Sequence, residues 1–168
     1  ILVRFNIESK TYELVKENEK NNTIEAFYIE KTEEGAVYWT LSYFGQLQKS
    51  TDLTNWTLVK NMNSAGIIIP STAFYGSHLF IEDNLVAIGS DNGVFVSNDS
   101  GNNWTYHFES ARASNIVRDC DNSLYVGLRP AYDSSQWLSK DLTGVWRSTD
   151  NGLNWQKYAA GIDKFWAA

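Results

Sequence analysis

Two stretches concentrate the side chains that could do chemistry. One is Arg118-Asp119-Cys120-Asp121. The other is the run from Arg129 through Tyr132, Asp133, Gln136, Trp137 and Lys140 to Asp141. Inverting glycoside hydrolysis needs two carboxylates facing each other across a water-filled gap, and Asp119, Asp121 and Asp133 are the candidates. The second run also suits binding without catalysis. Tyr132 and Trp137 could stack on sugar rings, while Arg129, Asp133 and Gln136 could hydrogen-bond hydroxyls. Each stretch has a plainer reading. Asp-x-Asp-Asn at 119–122 is the composition of a turn, and 129–141 can be a surface loop that packs Trp137 onto its neighbour. The acids at 119–122 are too few to cage calcium. His78 and His107 are isolated, and there is no phosphate-cradling glycine loop and no Ser/His/Asp set. No metal or cofactor is expected. Cys120 is the lone cysteine, so no intrachain disulfide can form, and it reads as a small, half-buried side chain.

These stretches hang on a repeated frame. Ser97-Asn-Asp99-Ser-Gly101-Asn-Asn-Trp104 returns as Ser148-Thr-Asp150-Asn-Gly152-Leu-Asn-Trp155. It appears one residue shorter as Ser50-Thr-Asp52-Leu-Thr-Asn-Trp56. Each copy follows a short alternating run (Gly45-Gln-Leu-Gln, Gly93-Val-Phe-Val, Gly144-Val-Trp-Arg) and precedes another. That pattern predicts strand, tight loop, strand. The Asp carboxylate should accept from backbone N–H groups one to three residues on, with weaker help from Ser. The Gly supplies a positive-φ position, and the Trp buries its ring and offers an indole N–H. The short copy, with Thr54 near the glycine position, predicts a tighter, less regular loop.

The Ser-x-Asp-x-Gly-x-x-Trp pattern resembles the Asp-box, or bacterial neuraminidase repeat, of sialidase-like β-propellers. The resemblance rests on two full copies and one degenerate copy, in a repeat that covers nearly the whole chain. It implies that each box sits at the outer turn between the third and fourth strands of a blade, away from the mouth where ligands bind. Ser50, Asp52, Trp56, Ser97, Asp99, Gly101, Trp104, Ser148, Asp150, Gly152 and Trp155 are then structural. In the sialidase-like enzymes, inner-strand arginines bind a carboxylate and an Asp or a Tyr–Glu pair does catalysis. By that analogy Arg118 becomes a binding candidate. The Arg-Ile-Pro signature is missing, and Leu128-Arg129-Pro130 echoes it in the wrong place. Arg4 and Arg147 fall on outer strands, so an arginine triad is not assembled.

The chain has 168 residues, 14% aromatic, with seven Trp, nine Tyr and a net charge of −6. That is enough for one domain with a sizeable core. The acidic balance, without Lys/Arg clusters, argues against a nucleic-acid partner, and no apolar run approaches the roughly 18 residues of a membrane span. Sequons at Asn21, Asn55, Asn98 and Asn103 are read as incidental to an Asn-rich chain. The first residue is Ile1, which suggests a mature product or a piece of something longer.

In order, residues 1–22 read as a partial repeat with strands Leu2–Ile7 and Thr11–Val15. Full four-stranded repeats follow at about 23–60, 61–108 and 109–160, and 161–168 opens another. The third repeat's strands are expected at Ser114–Arg118, Ser123–Leu128, Gly144–Arg147 and Trp155–Tyr158. The motif serine recurs at spacings of 47 and 51 residues, the period of a four-stranded propeller blade. The expected fold is therefore all-β: a β-propeller segment of about three four-stranded blades plus partial terminal ones, forming one unit over 1–168. Propellers close with about 4–8 blades. The chain is expected to be completed by further blades of the same polypeptide, by a self-associated copy, or by 161–168 joining the N-terminal hairpin.

Three functions follow as expectations. The leading one is a non-catalytic recognition propeller, extracellular or at a cell surface, whose partner is a glycan or a protein. The second is a fragment of a glycoside hydrolase, sialidase-like or xyloglucanase-like, and this is the activity expected if the chain is an enzyme. The third is a protein-docking assembly factor. The binding candidates are Arg118, Arg129, Tyr132, Asp133, Gln136 and Trp137.

Overall fold

The computed structural model describes residues 2–16, 22–62, 74, 77–109, 111–130 and 142–158. Its regular elements are fourteen strands, all paired antiparallel, in one two-stranded and three four-stranded sheets. Each four-stranded sheet is a meander in sequence order. Among the described residues no helix is long and apolar enough to cross a membrane. The chain divides into two compact units, 1–74 and 75–168.

The first unit opens with the hairpin β1 (Leu2–Asn6) and β2 (Thr11–Lys16). Val3 pairs with Leu14 and Phe5 with Tyr12, so one face is apolar, while Arg4 and Glu13 pair as ions on the other. Asn6 Oδ1 accepts from the Glu8 and Ser9 N–H groups and closes the turn. The sheet β3 (Ile24–Thr32), β4 (Gly35–Ser42), β5 (Gln46–Ser50) and β6 (Thr57–Asn61) follows. Its core is Trp39, Leu41, Leu47, Met62 and Phe74. The Trp39 indole donates to Glu30 Oε2 at 3.0 Å, so burying the ring leaves no orphan N–H.

The second unit stacks two sheets. The first is β7 (His78–Glu82), β8 (Leu85–Ser90), β9 (Gly93–Ser97) and β10 (Thr105–His107). The other is β11 (Ala111–Arg118), β12 (Leu124–Pro130), β13 (Gly144–Ser148) and β14 (Gln156–Lys157). Every residue of β8 and β9 is buried. Strands covered on both faces carry apolar or small residues at successive positions, so Gly93-Val-Phe-Val, which alternation would leave half exposed, is buried throughout. Leu85, Ala87, Val94 and Val96 meet Ile116, Leu124, Val126 and Leu128 in one core, and Trp146 and Trp155 pack at its margin.

Strand ends agree with the sequence expectation to within a few residues. The largest shift is at β11, which begins at Ala111 rather than Ser114. A bulge between Ala113 and Ile116 lets the longer strand stay paired. Ser114 Oγ donates to the Gly127 carbonyl at this irregularity.

The three repeated loops join β5 to β6, β9 to β10 and β13 to β14. Each buries its serine, Ser50, Ser97 or Ser148. In the two full copies the serine hydroxyl donates to the Asp carboxylate at 2.8 Å and accepts from the Gly101 or Gly152 N–H at 2.8 Å. The Trp104 and Trp155 indoles donate back to the carbonyls of those same glycines. Two consecutive positive φ angles, at Ser100–Gly101 and Asn151–Gly152, turn the chain. The short copy has one, at Leu53, and its Ser50 accepts from the Leu53 N–H instead. It is the tighter loop that Thr54 and the missing residue predicted.

The carboxylate reaches farther than expected in the full copies. Asp99 Oδ1 accepts from the Asn102 and Asn103 N–H groups, three and four residues on, and Asp150 Oδ1 from that of Asn154. The extra residue moves the acceptor register by one. In the short copy the partners are Thr54 and Asn55, two and three residues on.

Candidate functional site

The strand directions sort the polar residues of the second unit to two ends. β11 and β13 run toward the loop end, where the 98–104 and 149–155 loops and the 82–85 and 119–123 turns lie. β12 runs away from it, toward the hairpin turn at Asp91-Asn92 and the point where the chain leaves for 131–141. Arg118 pairs with Leu124 at the loop end, and Arg129 pairs with Arg112 at the other. Five residues of β12 separate the two levels, about 17 Å at roughly 3.3 Å per residue. The two arginines singled out from the sequence therefore cannot grip one small ligand.

At the loop end a cleft of about 720 Å³ opens between the two sheets' turns. Arg118 forms its wall. Its Nε lies 2.6 Å from Glu82 Oε2, an ion pair in which the N–H does not point along the contact, so that Nε makes no hydrogen bond. Nη1 donates to the Asn122 carbonyl and Nη2 to Asn151 Oδ1. The side chain is 13% exposed and braces three segments. Asn98 Nδ2 donates to the Asn151 carbonyl, linking one repeated loop to the next.

Asp119 and Asp121 are consumed by their turn. Asp119 Oδ1 accepts from the Asp121 and Ser123 N–H groups, and Asp121 Oδ1 from that of Ser123. Asp121 Oδ2 also takes Arg147 Nη2 at 2.7 Å. The contact with Asp119 first, then Ser123 and Arg147, hold the Asp121 carboxyl down at about 2. Cys120, expected half-buried, is exposed and free, because the turn's packing falls to Ser123 and Leu124.

The opposite end carries a buried ion pair. Arg112 Nε meets Asp91 Oδ1 at 2.6 Å, with the arginine side chain 6% exposed. Directly across the ladder is Arg129, which is exposed and forms no ion pair with a described residue. Like charges at opposed positions repel, and Asp91 compensates one of them. Partial burial first, and the charge of Arg129 second, lower the pKa of His78. Tyr132, Asp133, Gln136 and Trp137 lie outside the described residues. His107 is structural, set against Phe108 and Trp155 with Nε2 at 3.2 Å from Thr105 Oγ1.

One set of residues escaped the sequence reading. Asn55, Asn103 and Asn154 each precede the loop tryptophan, and each donates Nδ2 to the second carboxylate oxygen of Asp52, Asp99 or Asp150 at 2.6–2.7 Å. The signal was the recurrence of Asn-Trp in all three copies. Two of the four sequons, at Asn55 and Asn103, arise from this Asn, whose amide points into the loop.

No family model matches the chain, and a search of curated proteins found no match.

Proposed function

We propose that the chain is a non-catalytic recognition module, a segment of an Asp-box β-propeller acting at a cell surface or outside the cell. It takes an acidic glycan or an acidic segment of a protein at the end of the second unit that carries Arg129. The observation behind this reading is the opposed pair Arg112–Arg129, in which a carboxylate, Asp91, pairs with Arg112 while Arg129 is exposed, its charge felt by His78. Arg129 has no ion-pair partner among the described residues, and an exposed guanidinium of that kind is a ready bidentate donor to a carboxylate or sulfate. Three four-stranded meanders closed by the same loop favour the propeller architecture.

The hydrolase alternative finds less support. A general acid must hold a proton near neutral pH, whereas Asp121 is pulled to about 2 and Asp119 is bonded into its turn. Arg118 and Arg129 lie at opposite ends of their sheet.

The test is binding to an array of sialylated, uronic-acid and sulfated glycans together with an immobilised poly-glutamate peptide. Arg129→Ala should reduce the signal at least about tenfold, the range of one charge-assisted contact, with the melting temperature unchanged. Wild-type protein that binds none of these probes, or an Arg129→Ala variant that binds equally well, would refute the proposal.

A further inference from the structure

We infer that the loop-end cleft is a separate binding site, for a neutral saccharide. Its volume of about 720 Å³ falls within the roughly 300–1,000 Å³ of small-molecule sites. The argument turns on which of its polar atoms are already committed.

The strong charges are. Arg118 is shared among Glu82, the Asn122 carbonyl and Asn151. The Asp150 carboxylate is taken by Ser148 and Asn154. Among the described residues of the lining an anionic ligand would find no unpaired cation, and Asp83 carries the one carboxylate without a hydrogen-bond or ion-pair partner. What remains is a mixed set of lining residues, Asp83, Asn84, Asn98, Asn122, Thr149 and Asn151; in Asn84 and Asn151 the bonded atom is Oδ1, and in Asn98 it is Nδ2. Glu82 and Arg118 offset each other, the Asp150 carboxylate is bonded within its own loop, and the rest of the lining is uncharged apart from Asp83. A sugar hydroxyl both donates and accepts, so vicinal hydroxyls match a carboxylate or a carboxamide edge as no singly charged group would. Leu85 is buried among the lining residues and Leu153, 51% exposed, offers an apolar edge to the C–H face of a ring.

The polar set is also held in place. Asn84 Oδ1 accepts from Ser100 Oγ at 2.9 Å, Asn151 Oδ1 accepts from Arg118, and Asn98 is tied to the Asn151 backbone. In Asn84, Asn98 and Asn151 one end of the carboxamide is bonded and the other end has no partner among the described residues. Such preorganisation lowers the ordering cost of binding. None of these residues belongs to the Arg129 end, so either proposal can fail without the other.

The test titrates the full chain with cellobiose, lactose, maltose and mannobiose, followed by ¹⁵N–¹H correlation spectra that resolve side-chain amides. Two variants probe the free atoms while sparing the bonded ones. Asn84→Asp with Asn151→Asp keeps the acceptors for Ser100 and Arg118 but removes the free donors. Asp83→Asn keeps a residue that tolerates the positive φ of that turn. At least one disaccharide should shift the Asn84 and Asn151 amide signals with millimolar affinity. That affinity should fall at least about tenfold in both variants and persist in Arg129→Ala. Unmoved signals at about 50 mM sugar, well above a millimolar Kd, would overturn the proposal. Wild-type affinity in both variants, read from the backbone amide signals of the cleft residues, would do the same.

Discussion

At the scale of single residues the repeated loops are small polar cages, and their chemistry gives two predictions. Ser97 lies buried with its hydroxyl between the Asp99 carboxylate and the Gly101 N–H. Ser97→Ala orphans that N–H and should destabilise the protein by about 1–3 kcal/mol, read from chemical denaturation. The second concerns acid. The Asn103 backbone N–H, then its side chain and Ser97, pull Asp99 from 3.8 to about 2. A carboxyl whose folded pKa is depressed contributes stability above its unfolded pKa and loses it as pH falls through the folded one. Wild-type melting temperature should therefore drop between about pH 4 and pH 2. In Asp99→Asn it should be lower at neutral pH, with the gap to wild type closing toward pH 2. A gap that stays constant over this range would refute the assignment. The roles of Ser, Asp, Gly and Trp were legible in the sequence because each is a known turn chemistry. The Asn before each Trp was present in all three copies but went unread, since its partner is the carboxylate's second oxygen and no local turn rule calls for it.

At the scale of elements, meander order and strand type followed from alternation and punctuation. β8 and β9 were legible as strands, but Gly93-Val-Phe-Val was read as an alternating run, and its burial on both faces comes from the stacked sheet. What could not be read was which end of a strand faces which turn. That depends on strand direction across a sheet, and it is what separates Arg118 from Arg129 and gathers Asp91, Arg112 and His78 from distant positions. Gly93 starts β9 at φ +120°, and an added Cβ would collide with the His107 carbonyl oxygen. Gly93→Ala should cost about 2 kcal/mol or more, combining backbone strain and overpacking, measured by thermal unfolding. The buried Arg112–Asp91 pair gives a further contrast. Asp91→Ala removes the carboxylate that faces the buried Arg112 guanidinium and should destabilise the protein, read from chemical denaturation. Replacement of both partners by apolar residues, as in Arg112→Met with Asp91→Ala, should recover much of that loss.

At the scale of the molecule, the residues most visible in the sequence are those that close loops, and the proposed recognition chemistry lies at the other end of the second unit. The −6 net charge opposes an acidic partner at long range, so binding must rest on short-range contact at Arg129. It should then weaken with added salt, but less steeply than for a protein bearing an extended cationic face. The measurement that bears most directly on this division is side-by-side binding of Arg129→Ala and Asp150→Asn to the acidic glycan array, both kept well below their melting temperatures. The account predicts that Arg129→Ala loses at least about tenfold in signal, while Asp150→Asn melts earlier yet binds as wild type. Binding lost in folded Asp150→Asn and retained in Arg129→Ala would contradict it, and would move recognition to the repeated loops.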